Sequence, residues 1–191
     1  MLTKTTFILT MMAFVAVASP AFGQQSTEDG EAASRDYFTD TQLLTQDGEE
    51  VRFYSDVLKD QIVVINFIFT NCQGACPMMT QKLRIAREQL DAESANKLRF
   101  VSISIDPERD TPEAMRKFAA EQHADGDWVF LTGSRENIDH VVKKLGQYFP
   151  DVDEHSTLMI GGNVKTRLWM KIPPQMPPVG VAEKLRLLID G

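Results

Sequence analysis

Ile62-Val63-Val64-Ile65-Asn66-Phe67-Ile68-Phe69 is almost continuously apolar and largely β-branched, and it runs without a break into Thr70-Asn71-Cys72-Gln73-Gly74-Ala75-Cys76-Pro77. Branched side chains suit a pleated strand, and an apolar run with no polar alternation needs cover on both faces. The stretch therefore predicts a central strand with helices packed above and below it. Beyond it, Met79, Leu83, Ile85, Ala86 and Leu90 recur at roughly helical spacing. This predicts a helix over 78–90 with Pro77 near its first position, where a missing N–H costs nothing. Both cysteines then lie at a strand-to-helix turn.

The same alternation continues downstream. Residues 98–105 read as a strand, 111–122 as a helix, 128–131 as a strand and 135–148 as a helix, which is α/β grammar. In Asp110-Thr111-Pro112-Glu113, either Asp110 or Thr111 can cap the helix that Pro112 opens. Upstream, Gln46-Asp47-Gly48-Glu49 separates two short apolar-bearing runs, 43–45 and 51–54, and predicts a β-hairpin followed by a connecting turn over 56–60. Near the end, 156–160 and 164–172 read as a second hairpin turning at Gly161-Gly162-Asn163, and 179–189 as a closing helix. This order is that of an α/β, thioredoxin-like fold with an N-terminal β-hairpin and a β-hairpin insertion before the C-terminal helix. In that fold the reactive turn follows the first core strand.

Residues 1–23 read as a secretory signal. Lys4 supplies a positive start, 7–18 an apolar run, and Ala21-Phe22-Gly23 a small-x-small cleavage site. Cleavage is expected before Gln24. The competing reading is a retained anchor, although residues 5–23 are marginal for a full bilayer span. Either way the domain is expected outside the cytoplasm, in the periplasm if the source is Gram-negative, and anchored to the inner membrane only if the segment stays. Residues 24–36, mostly small or polar, predict a flexible leader, and 37–191 predict one domain. With 20 Lys+Arg against 27 Asp+Glu, the formal charge of −7 disfavours a broad attraction to nucleic acid or anionic lipid. Cationic partners, metal ions among them, fit it better.

The chain has only 2 cysteines, and a bond between Cys72 and Cys76 would close so short a loop that it adds little stability by chain entropy. Chemistry is the better reason for the pair. Four positions apart, the two sulfurs can face one side of a helical turn. Cys76, at the expected helix N-terminus, is the thiol that the macrodipole should acidify. Of 3 histidines, only His155 lies in a loop between element ends, beside Asp151, Asp153 and Glu154. His123 sits at the tail of a polar helix and His140 within an amphipathic one. Two thiolates and one imidazole form a soft, low-coordinate set suited to one copper ion, as Cu(I), or as Cu(II) with an added oxygen or water. Structural zinc would want a fourth protein ligand. Read alone, the residues leave a solvated acidic loop open as the role of the His155 segment.

The segments 65–80, Val101-Ser102-Ile103-Ser104-Ile105-Asp106-Pro107-Glu108-Arg109-Asp110-Thr111-Pro112 and Asp153-Glu154-His155-Ser156, in this order, resemble the Sco/SenC family of copper proteins over about 37–191. The resemblance implies copper ligation by Cys72, Cys76 and His155. It also implies a copper chaperone that delivers copper to the binuclear site of cytochrome c oxidase subunit II or another exported copper protein, or reduces the thiols of that site, while some members of the family look like thiol-disulfide reductases or copper sensors instead. Two positions depart from the family's usual pattern, Gln73 where Pro is common and Glu154 where Asp is common, and neither removes a ligand. Asp106 matches the family's Asp-Pro strand end, as a support for the site or as a plain turn residue. Met78 and Met79 read as core fillers.

The main alternative is a metal-independent thiol-disulfide oxidoreductase that cycles Cys72 and Cys76 as a redox-active disulfide. Its familiar motif has two intervening residues, whereas three occur here. A cysteine peroxidase is disfavoured because Phe69 and Gln73 stand where that family has Thr or Ser. A plain structural domain would predict no copper affinity.

Overall fold

The computed structural model describes residues 25–148, 150 and 157–191. The expected export signal, 1–23, lies outside them. Among the described residues no helix is long and apolar enough to cross a membrane.

The chain forms α1 (Gln25–Phe38), β1 (Gln42–Thr45), β2 (Glu50–Arg52), one π-helical turn (Phe53–Leu58), β3 (Ile62–Ile68), α2 (Ala75–Glu88), α3 (Ala92–Asn96), β4 (Leu98–Ser104), α4 (Pro112–Glu121), β5 (Trp128–Thr132), α5 (Arg135–Lys144), β6 (Met159–Asn163), β7 (Leu168–Ile172) and α6 (Pro178–Asp190). One seven-stranded sheet has the order β2-β1-β5-β4-β3-β6-β7. Its centre, β3-β4-β5, is parallel, and β1, β6 and β7 join antiparallel on either side. The apolar run thus sits inside the sheet with helices on both faces, as expected for the thioredoxin-like class.

Side-chain alternation along β3 builds both halves of the core. Val63, Ile65 and Phe67 face the layer of α5 and the π-helical turn with Val101, Ile103 and Leu131, while Val64 and Ile68 face α2, α4 and α6 with Leu83, Phe100, Met115 and Leu185. At about 1.5–3 kcal/mol for each large apolar side chain taken out of water, these two layers dominate the stability of the fold. Asn66 interrupts the second layer, and its Oδ1 is paired across the sheet while its buried Nδ2 has no hydrogen-bond partner among the described residues. Ser102 Oγ donates to Asn66 Oδ1 at 2.7 Å, and Trp128 Nε1 donates to Ser102 Oγ at 2.9 Å.

Three expectations need correction. The leader expected over 24–36 is helical from Gln25, because α1 is held from its far end. Phe38 is buried against Trp169, with ring centroids 4.8 Å apart, and Glu31 pairs with Lys59 at 2.6 Å. The first hairpin has its Asp-Gly turn, but β2 stops at Arg52. Phe53 and Tyr54 turn inward in the π-helical turn, which buries four of its six residues. In the second hairpin, Gly161, Gly162 and Asn163 lie within β6 rather than at the turn. Gly162 accommodates the Trp169 ring and Gly161 the ends of Leu188 and Ile172. The reversal follows Asn163, whose Oδ1 accepts from the N–H groups of Lys165 and Thr166 at 3.2 Å, and Arg167 takes φ 60°. These glycines serve close packing, not chain reversal.

A Cβ at Gly162 would be driven into the Trp169 ring. Gly162→Ala is therefore expected to cost about 1–3 kcal/mol through overpacking. Thermal denaturation should show Tm falling by about 2–4 °C for each kcal/mol, and an unchanged Tm would contradict the packing role.

Candidate metal centre

The cysteine turn is built where β3 ends. Cys72 N donates to Phe69 O at 3.1 Å, which folds the chain back before α2 begins. The helix starts at Ala75, three residues before the expected position, so Cys76 is already inside its first turn and Pro77 follows as the third helical residue. No side chain from the preceding Gly74 caps this end. A helix opens with unpaired N–H groups, and here the Cys72 sulfur answers them: Cys76 N donates to Cys72 Sγ at 3.4 Å. Pro77, having no N–H, adds no further orphan donor.

This reverses the expected division of labour between the thiols. For Cys72, burial pushes the thiol pKa up, but hydrogen bonds from the N–H groups of Cys76, Gly74 and Ala75 and from the Cys76 thiol outweigh it, and the net shift is downward. For Cys76, burial dominates. With 1% of its surface exposed, it is pushed up to about 12, the Phe69 N–H opposing and the Cys72 sulfur and Asp110 charge reinforcing the rise. The helix N-terminus thus acidifies the sulfur that caps it from outside, not the one within the helix. The two cysteines are not joined by a disulfide. Cys72 is half-buried and reachable, and Cys76 belongs to the core cluster with Ile68 and Leu83.

The pair alone is two soft donors held in contact, one presented and one protected. His155 and its acidic neighbours Asp151, Asp153 and Glu154 lie outside the described residues. Of the other histidines, His123 follows α4 at φ 51° and His140 lies on α5. Among the described residues no group of three or more His, Cys, Asp or Glu is placed to hold a metal. Met79 is buried, as a core filler should be, whereas Met78 is 60% exposed and departs from that expectation. Its position on α2, between Pro77 and Met79, turns outward.

Asp106 and Asp110 lie beyond β4, next to the turn in the parallel sheet. Asp106 is buried, its Oδ2 3.2 Å from Arg109 Nε and its Oδ1 3.5 Å from Arg135 NH2. The Arg109 pair is an attraction of charges without an aligned hydrogen bond, because Oδ2 has no hydrogen-bond partner. The Asp106 carbonyl also accepts from the N–H groups of Arg109 and Asp110, so the residue serves the turn as well. Thr111, not Asp110, caps α4 by accepting from Ala114 N. Asp110 instead accepts from Thr70, two residues before Cys72. Sequence reading missed this link, since nothing local to Asp110 distinguishes a cap from a buried clamp.

The unequal thiols predict unequal reactivity. Only a thiolate alkylates at an appreciable rate. In reduced, metal-free protein, iodoacetamide followed by peptide mass mapping should therefore label Cys72 first, with a rate rising through a pH below that of an ordinary thiol. Cys76 should stay largely unlabelled until the pH approaches about 12. Preferential labelling of Cys76 at neutral pH would contradict the assignment.

Comparison with known proteins agrees with this geometry. The SCO1/SenC family model matches residues 29–190. The SCO1 protein homolog of Bacillus subtilis is 41% identical over 101 residues, 52% of this chain and 51% of that protein, and the chain spans about half the length of such relatives. ScoI of Bradyrhizobium japonicum, solved with copper bound, superposes with a TM-score of 0.61 at 26% identity, covering 78% of this chain and 96% of that one. BsSco, a member of the Sco family of cytochrome c oxidase assembly proteins in which a disulfide switch has been identified, superposes with a TM-score of 0.64 at 27% identity, covering 77% and 90%. With a family match running from α1 to the last helix and the cysteine turn at the end of its first parallel strand, the chain belongs to the SCO1/SenC family.

Proposed function

We propose that this protein binds one copper ion through Cys72, Cys76 and His155, and hands it to an exported copper protein of the cytochrome c oxidase type. The observation that carries the reading is the presented Cys72 sulfur held by both the amide and the thiol of the protected Cys76 at the mouth of β3. Two thiols suit a soft cation, and the copper-bound relative ScoI shares this fold. His155 supplies the third donor in this reading. As copper arrives, each thiol gives its proton to water, so loading is linked to pH. Because Cys76 holds its proton tightly, Cys72 is the sulfur that meets the ion first and leaves it last to solvent-side exchange with an incoming client thiolate.

A second reading has a specific observation in its favour. An acidified, accessible thiol beside a buried one is also the arrangement for thiol-disulfide exchange, with Cys72 attacking a client disulfide and Cys76 then displacing the client sulfur to leave a Cys72–Cys76 disulfide and a reduced client. The likeness to BsSco, with its disulfide switch, supports this chemistry on the same two residues. Reduction of the client's copper-site cysteines and delivery of the ion would then be successive uses of one pair. The export signal proposed for 1–23 puts both uses outside the cytoplasm.

Titration of reduced protein with Cu(I) against a competing chelator tests the metal reading. The expected result is one equivalent bound tightly, at least tenfold weaker binding in His155→Ala, and loss of the site in Cys72→Ser. Identical binding by wild type and His155→Ala would remove the histidine from the ligand set. Redox cycling without copper affinity would leave only the oxidoreductase.

A further inference from the structure

Asp110 is fully buried, yet the nearby cations are committed elsewhere: Arg109 and Arg135 pair with Asp106 and Glu108. Its carboxylate is satisfied by neutral donors. Oδ1 accepts from Thr70 N at 2.9 Å and from Thr70 Oγ1 at 2.6 Å, and Oδ2 accepts from Ser104 Oγ at 2.6 Å. Ser104 Oγ in turn accepts from Asp106 N at 3.0 Å. One carboxylate thus joins the ends of β3 and β4 to the start of α4, 38 residues beyond Cys72 in the chain. A buried carboxylate that no cation among the described residues pairs with is an expensive way to tie two strands, since a neutral side chain would serve at lower desolvation cost. Short, charge-assisted bonds do give direction and stiffness, and here two of the three fall on the residue that opens the cysteine turn.

We propose that Asp110 is a positioning residue for the thiol pair, fastening the β3–α2 turn through Thr70 so that the Cys72 sulfur is held over the first turn of α2 and against Cys76. The chain of contacts is continuous. Asp110 grips Thr70 through both its amide and its hydroxyl, the turn closes from Cys72 N to Phe69 O, and Cys72 Sγ receives Cys76 N. Ile105 N donates to Ile68 O at 2.9 Å just behind this turn, so the turn is pinned from β4 on one side and from Asp110 on the other. Holding two sulfurs in contact raises their effective concentration toward one another and favours the disulfide over the dithiol. Loosening the clamp should do the reverse and raise the midpoint potential.

The inference takes Cys72 and Cys76 as the reactive pair, and its test needs no copper. The midpoint potential of the Cys72–Cys76 couple is measured in dithiothreitol redox buffers by thiol trapping, with Tm recorded alongside. Thr70→Val removes the hydroxyl bond while leaving the Asp110 charge. It should shift the equilibrium constant about threefold toward the dithiol, raising the potential by about 15 mV on a scale where tenfold is about 30 mV. Asp110→Ala, where it folds, should shift it tenfold or more. Thr70→Ser keeps both bonds and should return the wild-type potential. A merely structural clamp would lower Tm in Thr70→Val and leave the potential unmoved, which overturns the proposal, as would an equal shift in Thr70→Ser. Absence of Cu(I) binding in wild type would sink the copper reading alone, because the potential series is decided on metal-free protein.

Discussion

Everything chemical in this molecule depends on how the first turn of α2 disposes of its unpaired N–H groups. Gly74 offers no side chain and Pro77 no donor, so the amides opening the helix converge on the sulfur of Cys72. That contact sets the polarity of the site. The sulfur outside the helix becomes the more acidic thiol, and burial of the sulfur inside it, packed into the core beneath, holds its proton more tightly. A pair built this way has a face for partners and a fixed interior half.

The fold supplies the stiffness on which that contact rests. β3 is buried on both sides of the sheet and registers with β4 over its full length, Ile62 opposite Leu98 through Ile68 opposite Ser104. The two strands therefore end together. Loops of functional importance gather at such parallel strand ends, and here one carries the thiols while the other carries Asp106 and Asp110. The sheet could not hold the turn by backbone ladders alone, because the ladder stops at Ile68. The carboxylate of Asp110 continues the linkage for two more residues.

Much of this was legible in the chain. An eight-residue apolar run, a Cys-x-x-x-Cys-Pro turn and α/β alternation place the central strand, the cysteine turn and the core faces, because burial and periodicity act locally. The misreadings have physical causes. Gly161 and Gly162 look like a turn in sequence, but the pressure on them comes from Trp169 and Leu188, far along the chain or across the hairpin. The acidity of the two thiols was assigned to the wrong cysteine because a shift of three residues in the helix start decides which sulfur lies outside and which within. Residues 25–34, with no large apolar side chain, give no local reason for order, and α1 is instead secured at its C-terminal end by Phe38, packed against Tyr54 and Trp169. The tie between Asp110 and Thr70 is nonlocal and leaves no periodic trace.

His155, the third donor of the proposed ligand set, comes just before β6 in the chain, and β6 lies directly beside β3 in the sheet. That adjacency is why a late histidine is a reasonable partner for early cysteines. X-ray absorption at the copper edge of the Cu(I)-loaded protein addresses the arrangement most directly. The account predicts a coordination shell of two sulfurs and one imidazole nitrogen, the latter lost in His155→Ala. A shell without sulfur, or one of sulfur alone in the wild-type protein, would contradict it.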